Sequence, residues 1–182
     1  MAHKPIIING LHNPSITTTQ VYNQSFGSPT KATVAGVANR LYLMPFIPAV
    51  DITVSSLSID CSTQQAGSNV RILVYSNNNG SPGTKLLEST NLSTSAPTGV
   101  KTYTVAYTFL AGTIYWVGTH WSSTSTLRGI PLANSISIGT PAGAGSTMYT
   151  LYSLTVTFGS APTTFTGGVL TSAIGPEVRF GT

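Results

Sequence analysis

The chain has 182 residues, and only 7% of them are charged, against roughly 25% in an ordinary soluble domain. Serine and threonine, with 22 and 28 residues, make up about a quarter of it. Four acidic residues, three histidines and one cysteine leave little material for acid–base or metal chemistry. We therefore expect a protein that is not an enzyme, holds no metal or cofactor, and owes its solubility to hydroxyl and amide groups.

The length suits one domain, and a hydrophobic content of 41% is enough for a core. The net charge is +4, but the basic residues stand singly, so we expect no nucleic-acid partner, which needs a clustered basic surface. No stretch of the chain is apolar for long enough to cross a membrane, and the run Ile6, Ile7 and Ile8 is too short for a signal peptide. The expectation is synthesis in a cytoplasm without membrane insertion.

Residues 1–39 differ in character from the remainder of the chain. Pro5–Asn9 predicts a very short apolar strand, and a polar stretch follows it. Such a strand either forms the edge of its own domain or pairs with the sheet of another subunit. We interpret residues 1–39 as an arm for attachment and oligomer contacts, with Ile6, Ile7 and Ile8 as its anchors, and residues 40–182 as the folded domain.

From residue 40 onward the hydrophobic pattern has a period of two, which predicts β-strands. Val34, Val37, Ala38 and Leu41 fall at helical spacing, but strand propensity in 40–44 competes with a helix there. Clusters of Gly, Pro and Asn separate the strands, the clearest at Asn77–Gly83. The predicted strands are Asp51–Asp60, Val70–Tyr75, Thr102–Tyr107, Thr113–Trp121, Met148–Phe158, Gly168–Ala173 and Glu177–Phe180. Many short strands at this spacing predict an all-β fold, an antiparallel jelly-roll-like β-sandwich.

Three side chains in these strands have predictable environments. Cys61 is expected to be a buried thiol, since it has no disulfide partner. Tyr115 and Trp116 point to opposite faces of their strand. One of the two should fill the core, and the other must lie under a second layer, a loop or a partner subunit.

The order of five segments resembles a known family. The segments are Tyr42–Phe46, Val70–Tyr75, Asn79–Leu87, Thr98–Lys101 and Leu110–Val117. Together they are similar to a small β-sandwich domain of structural proteins in tailed bacteriophages and prophages, often found at the ends of tail-fibre or minor tail proteins. The resemblance covers residues 42–130 well, residues 131–182 loosely and residues 1–39 not at all.

The resemblance implies a structural or accessory protein of a virion, in contact with other virion proteins and assembled as a homotrimer. Two placements remain open within it: a capsid decoration or head-fibre protein, and a tail or baseplate adhesin that contacts a host surface glycan. A carbohydrate-binding β-sandwich module of a cellular protein is the alternative from another class.

Sugar binding needs aromatic platforms beside amides and hydroxyls. We expect such a surface, for carbohydrate or a partner protein, at the end of the strongest strand; its candidate residues are His120, Trp121, Arg128, Tyr149 and Tyr152. For Trp121, burial in the core or against a neighbouring subunit is the alternative. A catalytic site would have to combine His120 with Asp51 or Asp60, but no Gly-x-Ser-x-Gly motif before a helix supplies a nucleophile.

Overall fold

A computed structural model describes residues 31–132 and 149–182, the backbone of residues 21–23, and the isolated positions Ser135 and Ile138. The described part is built from β-strands and contains no α-helix. The strands are β1 (Val21–Asn23), β2 (Ala32–Ala35), β3 (Arg40–Phe46), β4 (Ile52–Thr63), β5 (Asn69–Asn78), β6 (Ser81–Glu88), β7 (Leu92–Ser93), β8 (Gly99–Phe109), β9 (Tyr115–Trp121), β10 (Thr126–Ile130), β11 (Leu151–Thr155), β12 (Val169–Thr171), β13 (Gly175–Pro176) and β14 (Arg179–Gly181).

The strands form two antiparallel sheets of seven strands each. In sheet A the order is β1-β14-β4-β10-β13, with β2 paired to β10 and β8 paired to β4. In sheet B the order is β12-β11-β3-β9-β5-β6, with β7 paired to β5. The prediction of an all-β sandwich is confirmed. Strand propensity prevails over helical spacing in 34–41, where the end of β2 and the start of β3 flank a turn at 36–39 and no helix forms.

The core between the sheets is built from every second residue of the strands. On β4 this alternation shifts once by one residue. On β4 the buried positions are Ile52 and Val54, and then Leu57, Ile59 and Cys61. The spacing changes because a β-bulge lies between Val54 and Ser56 in the pairing with β8. Val70, Ile72 and Val74 of β5 belong to the same core. Phe46 stacks on Phe180 at 4.5 Å and, with Phe109, fills the core near the end of β3.

The hairpin between β5 and β6 uses the tightest available connection. Asn78 pairs with Ser81, so only Asn79 and Gly80 form the turn. Both have positive φ, 49° and 84°, as a two-residue type I′ turn requires. The predicted loop at 77–83 is therefore shorter than expected. Gly83 lies inside β6, where a Cβ atom would meet Ser76 Oγ at 2.9 Å.

A second layer covers the outer face of sheet B. Residues 156–168, which we call the strap, follow β11 and cross this face. The strap packs Ala161 and Phe165 against Leu73, Tyr75 and Trp116. Tyr115 lies in the core between the sheets. The opposite environments predicted for Tyr115 and Trp116 are confirmed, and the second layer comes from the same chain.

The predicted boundary at residue 40 does not match the strand pairing. β2 pairs with β10 from Thr126 to Gly129, and β1 pairs with β14. Both strands complete edge hydrogen bonds of sheet A, so the sandwich includes segments assigned to the arm. Residues 1–20, with Ile6, Ile7 and Ile8, lie outside the described residues, and their attachment role stays a prediction.

Candidate functional site

The surface expected at the end of β9 is not assembled. His120 and Trp121 are both fully buried, and they lie on opposite faces of β9 because side chains alternate along a strand. Trp121 belongs to the core between the sheets, whereas His120 lies under the strap. Neither residue is available as a surface platform, and for Trp121 the core alternative is correct.

The environment of Trp121 explains its burial. Its indole N–H donates a hydrogen bond to Thr119 Oγ1 at 2.7 Å, so the polar atom is satisfied within the core. Gly36 lies directly against the ring: a Cβ atom there would come within 1.9 Å of the indole. The segment after β2 therefore seals this end of the core.

The other three predicted contact residues are divided between the two sheets. Arg128 is half-buried on β10 of sheet A, and its carbonyl accepts from the Glu177 amide at 3.0 Å. Tyr152 is half-buried on β11 of sheet B, where its hydroxyl bonds Ser81 Oγ at 2.9 Å and its ring lies 5.3 Å from that of Trp116. Tyr149 is half-buried just before β11. These residues do not form one binding surface with His120 and Trp121.

His120 is enclosed by the strap. Its Nε2 bonds the Val156 carbonyl at 3.1 Å, and its ring centroid lies 5.1 Å from that of Phe158. Nδ1 is buried and has no hydrogen-bond partner among the described residues. Burial lowers the pKa of His120 below its ordinary value, because charging the ring there would forfeit hydration.

Beside His120, Glu88 joins the strap to sheet B. Its carboxylate accepts hydrogen bonds from Arg71 at 2.8 Å, from Lys85, and from the Ala161 amide at 3.0 Å. Burial alone would raise the pKa of Glu88, but these hydrogen bonds outweigh it and the net pKa is lowered. Arg71 also lies 5.6 Å from the Phe158 ring centroid. The charged groups near His120 therefore form an ion-pair network that joins the strap to sheet B.

We expect His120 to make stability depend on pH. Its folded pKa lies below the unfolded value near 6.5, so the unfolded chain binds more protons as pH falls through that region. The contribution of His120 to the free energy of unfolding is therefore fully present above about pH 6.5. Below that pH the free energy of unfolding falls, by at most about 1.4 kcal/mol per pH unit. Urea denaturation between about pH 7.5 and about pH 5 should show this slope in the native chain.

Substitutions identify which histidine causes this pH dependence of the free energy of unfolding. The His120→Gln variant retains a donor toward Val156 but does not titrate, so its stability should change little over the same range. A His3→Gln/His12→Gln double variant should keep the native slope. Glu88 loses its contribution only as pH falls below its ordinary pKa of 4.5. A slope that persists in His120→Gln would show that another group is responsible.

All four carboxylates contact groups within the fold. The Asp51 carboxylate accepts from the Ala111 amide at 2.8 Å, and Asp60 pairs with Arg179 at 2.7 Å. Glu177 is only 3% exposed and pairs with Lys31 and Arg179. Asp60 lies on sheet A and His120 on the outer face of sheet B, so the two do not form the catalytic pair considered above.

The described part also shows the surroundings of the candidate metal ligands and of the cysteine thiol. No group of three or more His, Cys, Asp or Glu side chains there is placed to hold a metal ion. Cys61 is buried, as predicted, and burial raises the pKa of its thiol, which keeps it in the less reactive protonated form.

A cleft opens where the β5–β6 hairpin faces β8 and the loop before β9. Its volume is about 500 Å³, within the range of small-ligand sites. The lining consists of uncharged side chains from both sheets and from the loop before β9: Ser76, Asn77, Leu86, Tyr107, Thr113, Ile114 and Tyr115. Tyr107 is half-buried, and Leu86 is 44% exposed. Sequence patterns did not identify this site, because it arises from segments separated along the chain.

One edge of sheet A is formed by β8, a strand of eleven residues. Among the described strands, only β4 pairs with it. Charged residues and proline usually protect an edge strand from pairing with another chain. Residues 102–109 contain neither. The corresponding edge of sheet B differs, because β6 contains Pro82 and Thr84 bridges to Thr164 of the strap. The outer face of β4 and β8 exposes hydroxyls, such as Thr53 and Thr108, which bond each other at 3.0 Å.

Comparison of the sequence with known protein families and curated proteins assigns the chain to no family. No protein-family model matches the chain, and no curated protein is significantly similar to it. Within the described residues, no helix has the length and apolarity needed to cross a membrane.

Proposed function

We propose that the chain is a non-enzymatic structural or accessory protein of a tailed-bacteriophage particle, located in the virion. The resemblance of residues 42–130 to phage β-sandwich domains supports this proposal. The structural observation that carries it is the edge formed by residues 102–109 of β8, which carry no charge, because a long strand edge without charges or proline favours pairing with a neighbouring chain. The carboxylates, engaged in ion pairs and backbone contacts, are in keeping with a structural role.

Within this proposal, the protein acts either as a capsid decoration or head-fibre protein or as a tail or baseplate adhesin. Quantitative mass spectrometry of purified particles tests both. A copy number comparable with that of the major capsid protein indicates decoration, and a much smaller number indicates the tail. Absence of the protein from purified particles of a phage that encodes it would refute the virion assignment.

We expect the protein to form a homo-oligomer, a trimer by the phage resemblance, through the β8 edge. Lysines introduced at Thr104 and Ala106, both exposed on β8, should disfavour edge pairing and yield monomers. The matched control is Thr53→Lys/Ser55→Lys, which places the same charges on the interior strand β4. Light scattering at micromolar concentration distinguishes the variants.

The outcomes of this comparison differ clearly. Dissociation by the β8 pair alone supports association through the edge. Dissociation by both pairs indicates association through the hydroxyl face instead. A native chain that is monomeric both alone and on its particle would contradict oligomerisation.

A further inference from the structure

The cleft between the β5–β6 hairpin and β8 has the features of a ligand site. We propose that it binds a neutral saccharide. The proposal does not depend on assembly into a virion, since the cleft lies within one chain; in a virion, the saccharide would be a host surface glycan.

The charge of the lining restricts the ligand. None of the described side chains that line the cleft is charged. A carboxylate or phosphate would lose hydration on entering without gaining an ion pair. The ligand that fits is therefore uncharged.

The apolar parts of the lining come from both sheets and from the loop before β9, which contributes Ile114. Sheet A contributes the half-buried ring of Tyr107, and the β5–β6 hairpin contributes Leu86. The Tyr115 ring lies 6.5 Å from the Tyr107 ring at 83°, edge to face. Aromatic and aliphatic surfaces of this kind contact the C–H faces of a sugar ring, while the tyrosine hydroxyls stay available to polar groups.

The polar groups of the lining have hydrogen-bonding capacity left. The Tyr107 and Thr113 hydroxyls have no partner among the described residues. Ser76 Oγ accepts from the Thr84 amide at 2.9 Å, and the Tyr115 hydroxyl accepts from the Leu110 amide at 3.0 Å, so each retains a proton to donate. Burial raises the pKa of Tyr107 above its ordinary value of 10, so its hydroxyl remains a neutral donor and acceptor at neutral pH and above it.

These neutral donors and acceptors select between uncharged ligands. A purely apolar molecule would cover the hydroxyls and leave them unpaired, at a cost in free energy. A saccharide combines apolar C–H faces with hydroxyl groups around its ring and satisfies both kinds of surface. The chemistry of the cleft thus favours a sugar over a lipid-like ligand.

Saturation-transfer NMR on the full chain tests the proposal. The probes are glucose, galactose, mannose, rhamnose and N-acetylglucosamine, with glucuronate and N-acetylneuraminate as acidic counterparts. At least one neutral sugar should receive saturation, and the acidic sugars should not. The Tyr107→Phe/Thr113→Val variant removes two hydroxyls at nearly constant volume and should weaken binding about tenfold.

Two further variants separate the cleft from the rest of the surface. Tyr103→Phe removes a hydroxyl from the same face of β8 outside the cleft and should leave binding unchanged. Leu86→Glu puts a charge on the cleft wall and should abolish binding, while an unchanged thermal midpoint confirms that it folds. The proposal is overturned if no neutral sugar binds, if only acidic sugars or a hydrophobic dye such as anilinonaphthalene sulfonate bind, or if the Tyr107/Thr113 variant binds as the native chain does.

Discussion

Replacing Trp121 by alanine should lower the free energy of unfolding by about 3–5 kcal/mol, the usual loss for truncating a large buried aromatic side chain. The indole is fully buried between the sheets, its N–H is bonded to Thr119, and Gly36 packs against its ring. The backbone of Gly36 is held by its hydrogen bond to the Ser125 carbonyl at 2.9 Å, so it cannot readily collapse into the cavity. Chemical denaturation followed by circular dichroism measures the loss.

The Trp121→Phe variant serves as the control for volume. It retains an aromatic ring in the core and should lose less stability than the alanine variant. Surface substitutions usually change the free energy of unfolding by no more than about 0.5 kcal/mol. A difference that small between Trp121→Ala and the native chain would contradict the burial of Trp121 and favour a contact role at the surface.

Gly118→Ala should also destabilise the fold severely, by about 3 kcal/mol or more, because overpacking a tightly packed position forces backbone shifts. Gly118 lies in β9, between β3 and β5 in sheet B. A Cβ atom there would lie 1.8 Å from the carbonyl oxygen of Tyr42. Since that oxygen belongs to the backbone of β3, relief requires the two strands to separate locally.

A glycine in open space supplies the matched control. Gly159, on the strap, has no atom within 4 Å of an added Cβ and no positive φ, so Gly159→Ala should be nearly neutral. Thermal unfolding of both variants beside the native chain measures the difference. Equal midpoints for Gly118→Ala and the native chain would show that β3 and β9 are not packed as described.

Strand prediction succeeded where the local pattern and the tertiary environment agree. In β8, hydroxyl residues alternate with tyrosine and valine, and the burial alternates in the same way. In β9 all seven residues are buried, yet the run of β-branched and aromatic residues still predicted a strand. Tyr115 and Trp116 could be assigned to opposite faces because alternation is a property of any strand.

The prediction of a contact surface at His120 and Trp121 is wrong for a physical reason. His120 and Trp121 are the last two residues of the strongest strand pattern, and this position predicts a strand end open to solvent. Pairing with β3 and β5 on both sides places β9 inside sheet B. The core then covers Trp121 and the strap covers His120, and no local pattern indicates either cover.

Composition and periodicity by themselves determined the all-β class, the sandwich and the scarcity of ionisable groups, because residue types and alternation act over a few neighbouring residues. Only the tertiary structure decided that the strap crosses sheet B, that β2 joins β10, and that Tyr107 meets the β5–β6 hairpin in an uncharged cleft. These contacts join segments far apart along the chain. Their selection depends on how the whole chain buries apolar surface and satisfies its hydrogen bonds, which a short window of sequence does not contain.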